Sequence, residues 1–352
     1  MLALGPAIVK NAASTMIHVA RSELANARRF APERVPSYRS SMRIISFATK
    51  ESEWQSPRMG ILLNVDGRDS GYRLDCEKLF APADRPPNPL TWFDMDGRWF
   101  QTARDTAKRI EQDPSAFNEA RDEGWLVRSD DAYWFAPVPR PGKIVCIGLN
   151  YRDHAEESGL AVPKTPVIFS KFPTCVIAPG EPVVFPSTSE KLDYEAELAI
   201  VIGRRAKHVS ADRAYDYVLG YTAFNDVTAR DFQFGDGQWQ RGKSCDTFAP
   251  MGQTIVTTDE ISDPHTLRIT MSVNGQVMQD SNTAQLIFRV PQLIEFVTQS
   301  ITLEPGDVIP TGTPAGVGFA RKPPFYLKPG DVMEVNIEGI GGLGNPIVAA
   351  AS

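Results

Sequence analysis

The chain has 352 residues, 42% of them apolar, and a formal net charge of −6. That length supports one large core or two moderate ones, and the mild acidity argues against a general nucleic-acid surface. The four cysteines, Cys76, Cys146, Cys175 and Cys245, form no CxxC pair; this excludes a zinc ribbon and fits reduced thiols in a cytoplasmic compartment, while no apolar run approaches the roughly 18 residues of a membrane span.

Residues 1–41 carry six Lys or Arg against two acids, several Ser and Ala, and no strand pattern. Transit segments share this composition. The expected reading is nevertheless a flexible extension, because Met42-Arg43-Ile44-Ile45-Ser46-Phe47 opens like a natural N-terminal strand.

From Met42 to Val138 a small N-terminal α/β domain is expected. Arg43–Phe47 and Met59–Val65 read as strands with a turn at Asp66-Gly67. Residues 101–121 read as helix broken at Asp113-Pro114. Three prolines and a closing glycine in Phe135–Gly142 read as a linker, so a second domain is placed at 139–352.

In that domain Lys143–Leu149 reads as a buried strand opening into Asn150-Tyr151-Arg152-Asp153-His154-Ala155-Glu156-Glu157. Asp153 with Glu156 suggests a capped short helix, on which His154 and Glu157 share a face at i and i+3. A histidine beside a carboxylate suits an oriented general base, although a surface histidine in an acidic helix reads the same locally. Lys171-Phe172-Pro173 looks like a connector, and Ala211–Val218 looks helical.

The organising stretch is Asp193-Tyr194-Glu195-Ala196-Glu197, which runs into the apolar Leu198–Ile202. Read as one strand, it puts Asp193, Glu195 and Glu197 on one side, with alternate Cα atoms roughly 6.5 Å apart. Acids feeding a buried strand are costly unless paired or metal-bound. An acidic face in water is the alternative. A further acid, Asp226, stands just after the run Leu219–Phe224, and three carboxylates make an all-oxygen set for a hard cation, Mg²⁺ or Mn²⁺ rather than Zn²⁺.

Gln238–Asp246 places Arg241 and Lys243 in a glycine-containing loop where Lys243 can hold an anionic group, or simply be solvated. Asn274-Gly275 between Leu267–Val273 and Gln276–Gln279 marks a hairpin, and 292–300 looks helical. In Thr311-Gly312-Thr313-Pro314 the glycine allows close backbone approach to a ligand and Thr313 offers a hydroxyl, unless the loop is only a tight corner. Glu304-Pro305-Gly306-Asp307 and Lys328-Pro329-Gly330-Asp331 repeat one turn that feeds a strand. Gly339–Gly344 fits GxGxxG, but only eight residues follow, too few for the helix and distal acid of a dinucleotide site.

Together these motifs resemble the fumarylacetoacetate hydrolase family, in particular its bacterial-type members acting on acylpyruvates, fumarylpyruvate and related dioxo acids. The resemblance runs from Lys143 to Pro346 and rests on six motifs in the family's order. They are Gly148–Tyr151 with His154 and Glu157, Asp193–Leu198, Asn225–Asp231, Arg241-Gly242-Lys243, Thr311–Pro314 and Glu338–Gly341.

The resemblance implies an α+β, mainly β fold, a mixed β-roll or sandwich, and a homodimer with no nucleic-acid or membrane partner. It implies Mg²⁺ or Mn²⁺ held by Glu195, Glu197 and Asp226, and a water-activating His154–Glu157 dyad. Tyr151, Arg230, Lys243 and Thr313 are then substrate contacts, the last two also serving at the oxyanion. The expected activity is metal-dependent hydrolysis of a C–C bond in a 2,4-dioxo acid, as in aromatic-compound catabolism. A metal-bound enolate also serves decarboxylation of oxaloacetate and isomerisation of 2-hydroxyhepta-2,4-diene-1,7-dioate, and a fold alone does not choose among them. A non-catalytic metal-dependent binding protein is the reading from another class.

Overall fold

In the computed structural model, residues 42–49, 57–65, 67–235 and 237–350 are described; the 1–41 extension and Asp66 of the expected turn lie outside them. The N-terminal part holds β1 (Arg43–Thr49), β2 (Arg58–Val65), β3 (Arg68–Asp75), α1 (Arg98–Gln112), α2 (Pro114–Asp122), β4 (Leu126–Arg128) and β5 (Ala132–Phe135). The helical break falls where expected: Asp113 ends α1 and caps α2, its side chain accepting from Ser115 N at 2.8 Å.

There follow β6 (Ile144–Gly148), α3 (Arg152–Glu157), β7 (Val167–Lys171), β8 (Val176–Ile177), β9 (Val183–Phe185), β10 (Leu192–Asp193), β11 (Ala196–Ile202), β12 (Val218–Asn225), β13 (Thr228–Ala229), α4 (Arg230–Gly235) and α5 (Trp239–Lys243). The remainder comprises β14 (Ala249–Pro250), β15 (Ile255–Thr257), β16 (Arg268–Val273), β17 (Gln276–Asn282), α6 (Val290–Ser300), β18 (Val308–Pro310), β19 (Val332–Ile337) and β20 (Gly341–Ala349). The segment after Gly339 is thus a strand, and the Asn274-Gly275 hairpin joins β16 to β17 in antiparallel register.

Among the described residues, 11 strands form one sheet in the order β4-β3-β2-β1-β15-β12-β11-β18-β6-β7, with β5 also on β1. A second sheet runs β17-β16-β19-β20-β9. The large sheet passes without interruption through the linker expected at Phe135–Gly142, because β1 pairs antiparallel with β15. Ala136 and Val138 of that linker are buried, and Ser46 donates to Pro137 O at 2.9 Å.

The unbroken apolar run of β11 is explained by cover on both faces. Leu198, Ile200 and Ile202 join Ile269, Met271, Val335 and Ile337 of the second sheet and Leu293 and Val297 of α6 in one core. Ala199 and Val201, on the alternate face, join Met59, Ile61, Leu63, Trp92, Phe100 and Ile110 in another. Both Pro-Gly-Asp turns form as expected and by one device, a carboxylate accepting the N–H three residues back. Asp307 accepts from Glu304 N at 2.7 Å and Asp331 from Lys328 N at 2.9 Å.

Candidate active site

The acidic stretch is not one continuous strand. The chain breaks at Tyr194 and Glu195 between β10 and β11, and this break lets the three acids part company. Asp193 is fully buried and its oxygens are taken by Gly318 N (2.7 Å), Phe319 N (3.1 Å) and Arg230 Nε (2.8 Å). It braces the Gly318 turn.

Glu195, Glu197 and Asp226 do converge, each presenting an oxygen within 4.8 Å of the others'. The β11–β12 register opposes Ala196 to Asn225, so Asp226, one residue past β12, lands beside Glu195 and donates its N–H to Glu195 O at 2.9 Å. Asn225 Oδ1 accepts from Glu195 N at 3.0 Å and fixes the break.

Two lysines reach into this group. Lys243, at the end of α5, donates to Glu195 Oε2 (2.7 Å) and Asp226 Oδ2 (2.8 Å). Close packing of α5 on α4 requires Gly242, where an added Cβ would stand 2.6 Å from Gln233 N. Lys171 lies at the end of β7 with its side chain fully buried, and donates to Asp226 Oδ1 at 2.5 Å and Val227 O at 3.0 Å. The expected connector at Lys171 is therefore part of the site. The available signal was a single lysine closing the apolar run Val167-Ile168-Phe169, a position at which an unpaired charge would be costly.

Arg230 is equally committed. Besides Asp193 it pairs with Glu195 Oε1 at 2.6 Å through Nη2 and donates to Gln233 through Nη1 at 2.9 Å, and Phe319 covers its face at 4.3 Å. The Glu195 contact is short but poorly aligned as a hydrogen bond, so it acts as an ion pair.

Four buried carboxylates (Asp193, Glu195, Glu197, Asp226) thus face three buried cations (Lys171, Arg230, Lys243). The mismatch falls on Glu197, whose partner is the Gly312 N–H at 2.8 Å. Burial, then Asp226 and Glu195, push the Glu197 carboxyl well above the usual carboxylate range. Glu195 resists the same burial because Lys243 and Arg230 hold it down at about 2. An all-oxygen trio with surplus negative charge fits a hard divalent cation, and these residues can hold one.

His154 and Glu157 lie on α3 on one face, as expected, with His154 Nδ1 3.6 Å from Glu157 Oε2. That is ion-pair distance rather than a formed hydrogen bond, and His154 Nδ1 is buried without a hydrogen-bond partner. Both oxygens of Glu157 accept from Gly316 N, at 3.1 and 2.9 Å. Burial raises the Glu157 carboxyl, but His154, the Gly316 N–H and Arg321 together hold it below its ordinary value. The expected cap is different in form: Tyr151 occupies the cap position of α3, and Asp153, inside the first turn, accepts from His154 N and Ser281 Oγ.

Tyr151 is fully buried and its hydroxyl has no protein partner. The Thr313 hydroxyl donates to Ala196 O at 2.9 Å and accepts from Gln279 Nε2 at 2.9 Å, so its one hydrogen is spent on the backbone. Gln279, missed in the sequence, ties β17 to the Thr313 loop and to Ala196 N.

Residues 143–348 match the family described as "Fumarylacetoacetate (FAA) hydrolase C-terminal". The chain belongs to the fumarylacetoacetate hydrolase family. Oxaloacetate tautomerase fahd2, mitochondrial, of Xenopus laevis is 40% identical to it over 338 residues, 95% of this chain and 99% of that one. Among solved structures, a putative HpcE protein from Mycobacterium smegmatis superposes with a TM-score of 0.70 at 34% identity, covering 88% of this chain and all of that one. The 2-hydroxyhepta-2,4-diene-1,7-dioate isomerase from Mycobacterium marinum superposes with a TM-score of 0.64 at 33% identity, covering 89% of this chain and all of that one. Family membership accounts for the α+β, mainly β architecture and makes the chain one of a family of enzymes.

Proposed function

We propose that this protein interconverts the enol and keto forms of a small 2-oxo dicarboxylate of the oxaloacetate class. The reading rests on the trio Glu195, Glu197 and Asp226 with a buried imidazole that acts on Glu195 and faces the Glu157 carboxylate, in a chain similar along its length to a protein named as an oxaloacetate tautomerase. The reaction needs a proton moved at the carbon next to the 2-oxo group and no attacking water, so it asks less of the site than hydrolysis.

A bound Mg²⁺ or Mn²⁺ would supply Lewis-acid polarisation of the 2-oxo oxygen. His154 takes and returns the proton, and Glu157 holds the charged imidazole that forms between the two steps. Lys243 and Lys171 fix Asp226 in place, and Lys243 is the cation positioned to meet the substrate carboxylate as well. Arg230, whose three nitrogens already face Asp193, Glu195 and Gln233, serves this reading as a brace for the ligands. Tyr151 is the buried hydroxyl left to meet the substrate, while Thr313 shapes the loop through Ala196 and Gln279.

Stopped-flow decay of enol-oxaloacetate absorbance with Mg²⁺ and with EDTA tests this. Acetylpyruvate cleavage, oxaloacetate decarboxylation and 2-hydroxyhepta-2,4-diene-1,7-dioate isomerisation are assayed in parallel. EDTA-sensitive acceleration that falls by about 10²- to 10⁴-fold in His154→Ala supports the reading. Turnover confined to acetylpyruvate replaces it with C–C bond hydrolysis by a water activated at the same dyad, and turnover of none of the four with a non-catalytic binder.

A homodimer is part of the same reading. Strand β7 is an edge of the large sheet, and the exposed Val167 on it and Phe172 directly after it make an edge that a second copy would cover; light scattering checks the mass. Among the described residues no helix is long and apolar enough to cross a membrane. The mitochondrial relative favours the transit-segment reading of the basic residues 1–41 over a cytoplasmic one, and fractionation of the tagged full chain decides it.

A further inference from the structure

The dyad's carboxylate rests on one peptide group, and that peptide is held by side chains that do not themselves touch the three carboxylates of the cation-binding trio. Gly316 N donates to both oxygens of Glu157 (3.1 and 2.9 Å). On the other side of the same residue, Gly316 O accepts from Tyr194 Oη at 3.0 Å and from Arg321 Nε at 3.3 Å. Arg321 Nε also lies 3.2 Å from Tyr194 Oη, and its Nη2 donates to Met278 O. The guanidinium thus ties three pieces of chain together: the Tyr194 break before β11, the Gly316 loop and β17.

Gly316 is the only residue type that fits there. Its φ is +102°, and an added Cβ would lie 2.2 Å from Met278 O. The loop is therefore pressed against β17 at the carbonyl that Arg321 also grips. Among the described residues the hydrogen-bonded attachment of Glu157 to this platform is the Gly316 N–H, with the Arg321 charge acting on the same carboxyl through space; α3 is held at its start by other contacts, Asn150 Nδ2 to Thr311 O at 2.7 Å and Arg152 Nη1 to Leu286 O at 3.1 Å.

We infer that Arg321, through Gly316 and Tyr194, is a positioning residue that sets the orientation of Glu157 and hence of His154. It touches neither the three carboxylates nor the imidazole. It acts by keeping the Gly316 N–H aimed at α3, so that the carboxylate is already in place when the imidazole gains its proton. In its absence the loop can rotate its peptide, and Glu157 is left to hold the imidazole from a floppy side chain. The kinetic part of this inference rests on the tautomerase reading above; the structural part does not.

The test compares full-length Arg321→Met, Arg321→Lys and Tyr194→Phe with wild type, and uses Arg205→Met, an exposed arginine paired with Glu304, as the control. Two readouts are taken: hydrogen–deuterium exchange over residues 150–160 and 312–318, and kcat and KM for enol-oxaloacetate. Arg321→Met is expected to exchange faster in both segments and to lose about 10- to 100-fold in kcat, with KM within about twofold of wild type if the substrate itself is untouched. Arg321→Lys, which keeps a donor, should recover part of both effects, and Tyr194→Phe should show a smaller version of them. Unchanged exchange and kcat in Arg321→Met would overturn the inference, as would a loss carried wholly by KM, which would make Arg321 a substrate contact. If wild type itself does not accelerate the enol–keto exchange, the functional reading falls, while the exchange data still decide whether Arg321 anchors the loop and α3.

Discussion

Two regions of this molecule bury side chains on opposite principles. The N-terminal part closes over Met59, Ile61, Leu63, Trp92, Phe93, Phe100 and Ile110, and its fully buried acid, Asp75, is answered by Arg58 at 2.8 Å. The break before β11 buries Asp193, Glu195, Glu197, Asp226, Lys171, Arg230 and Lys243 together. In the first region burial is its own reward. In the second every charge depends on a neighbour, and the acids outnumber the cations. A protein retains such a cluster at a cost in stability, and perturbed, mutually dependent carboxylates in one place mark a working site.

The contrast is sharpest if the cluster is broken. Glu195→Ala takes one of two carboxylates from both Lys243 and Arg230, which keep Asp226 and Asp193, so the cost should fall toward the lower end of the about 3–5 kcal/mol of a broken buried pair. Thermal melts in EDTA should show the loss, and Mn²⁺ titration should show no tight site. By the same comparison, trimming the apolar region should lower stability and nothing else. Ile110→Val, a buried methyl on α1, should cost about 1 kcal/mol in urea unfolding and leave Mn²⁺ affinity and kcat as in wild type.

How much of this contrast was legible beforehand depended on which residues carried it. β11, the Asn274-Gly275 hairpin and the two Pro-Gly-Asp turns were readable because each is a local signal, an apolar run or a turn that dictates its own backbone. Glu195, Glu197 and Asp226 were readable as a group because acids at the ends of apolar runs demand an explanation. Lys171 was not, since its partner Asp226 is 55 residues away and a lone lysine closing a short apolar run is too weak a signal to announce a burial set by sheet order. Nor was the break at Tyr194 and Glu195, for it is imposed from outside the segment by Asn225 and Gln279. The uninterrupted sheet across Phe135–Gly142 follows from the β1–β15 pairing, which joins residues more than two hundred positions apart in sequence and leaves no local trace.

His265 lies between the two extremes and gives a milder test. It is buried, accepts from Val290 N through Nε2 at 3.2 Å at the start of α6, and faces Asp263 through Nδ1 at 2.9 Å. Burial lowers its pKa from the ordinary 6.5, and Asp263 offsets this only in part. The unfolded chain therefore binds this proton more readily than the folded one. The contribution of His265 is complete above pH 6.5 and is lost as the pH falls below that value. Urea midpoints measured between pH 5 and 7.5 should fall toward acid, and His265→Gln, which keeps an acceptor without titrating, should flatten part of that slope.

The central claim, that Glu197 is a buried carboxyl without a cationic partner, kept from ionising until a cation arrives, is tested most directly by comparing wild type with Glu197→Gln in one paired experiment. Mn²⁺ is titrated calorimetrically, and EDTA-stripped samples are melted. The expected result is one tight Mn²⁺ per chain in wild type and none in the variant, with the stripped variant melting above the stripped wild type at neutral pH because the amide removes the cost of keeping a buried carboxyl protonated that is ionised in the unfolded chain. A variant that binds Mn²⁺ like wild type, or that melts lower when stripped, would contradict the account.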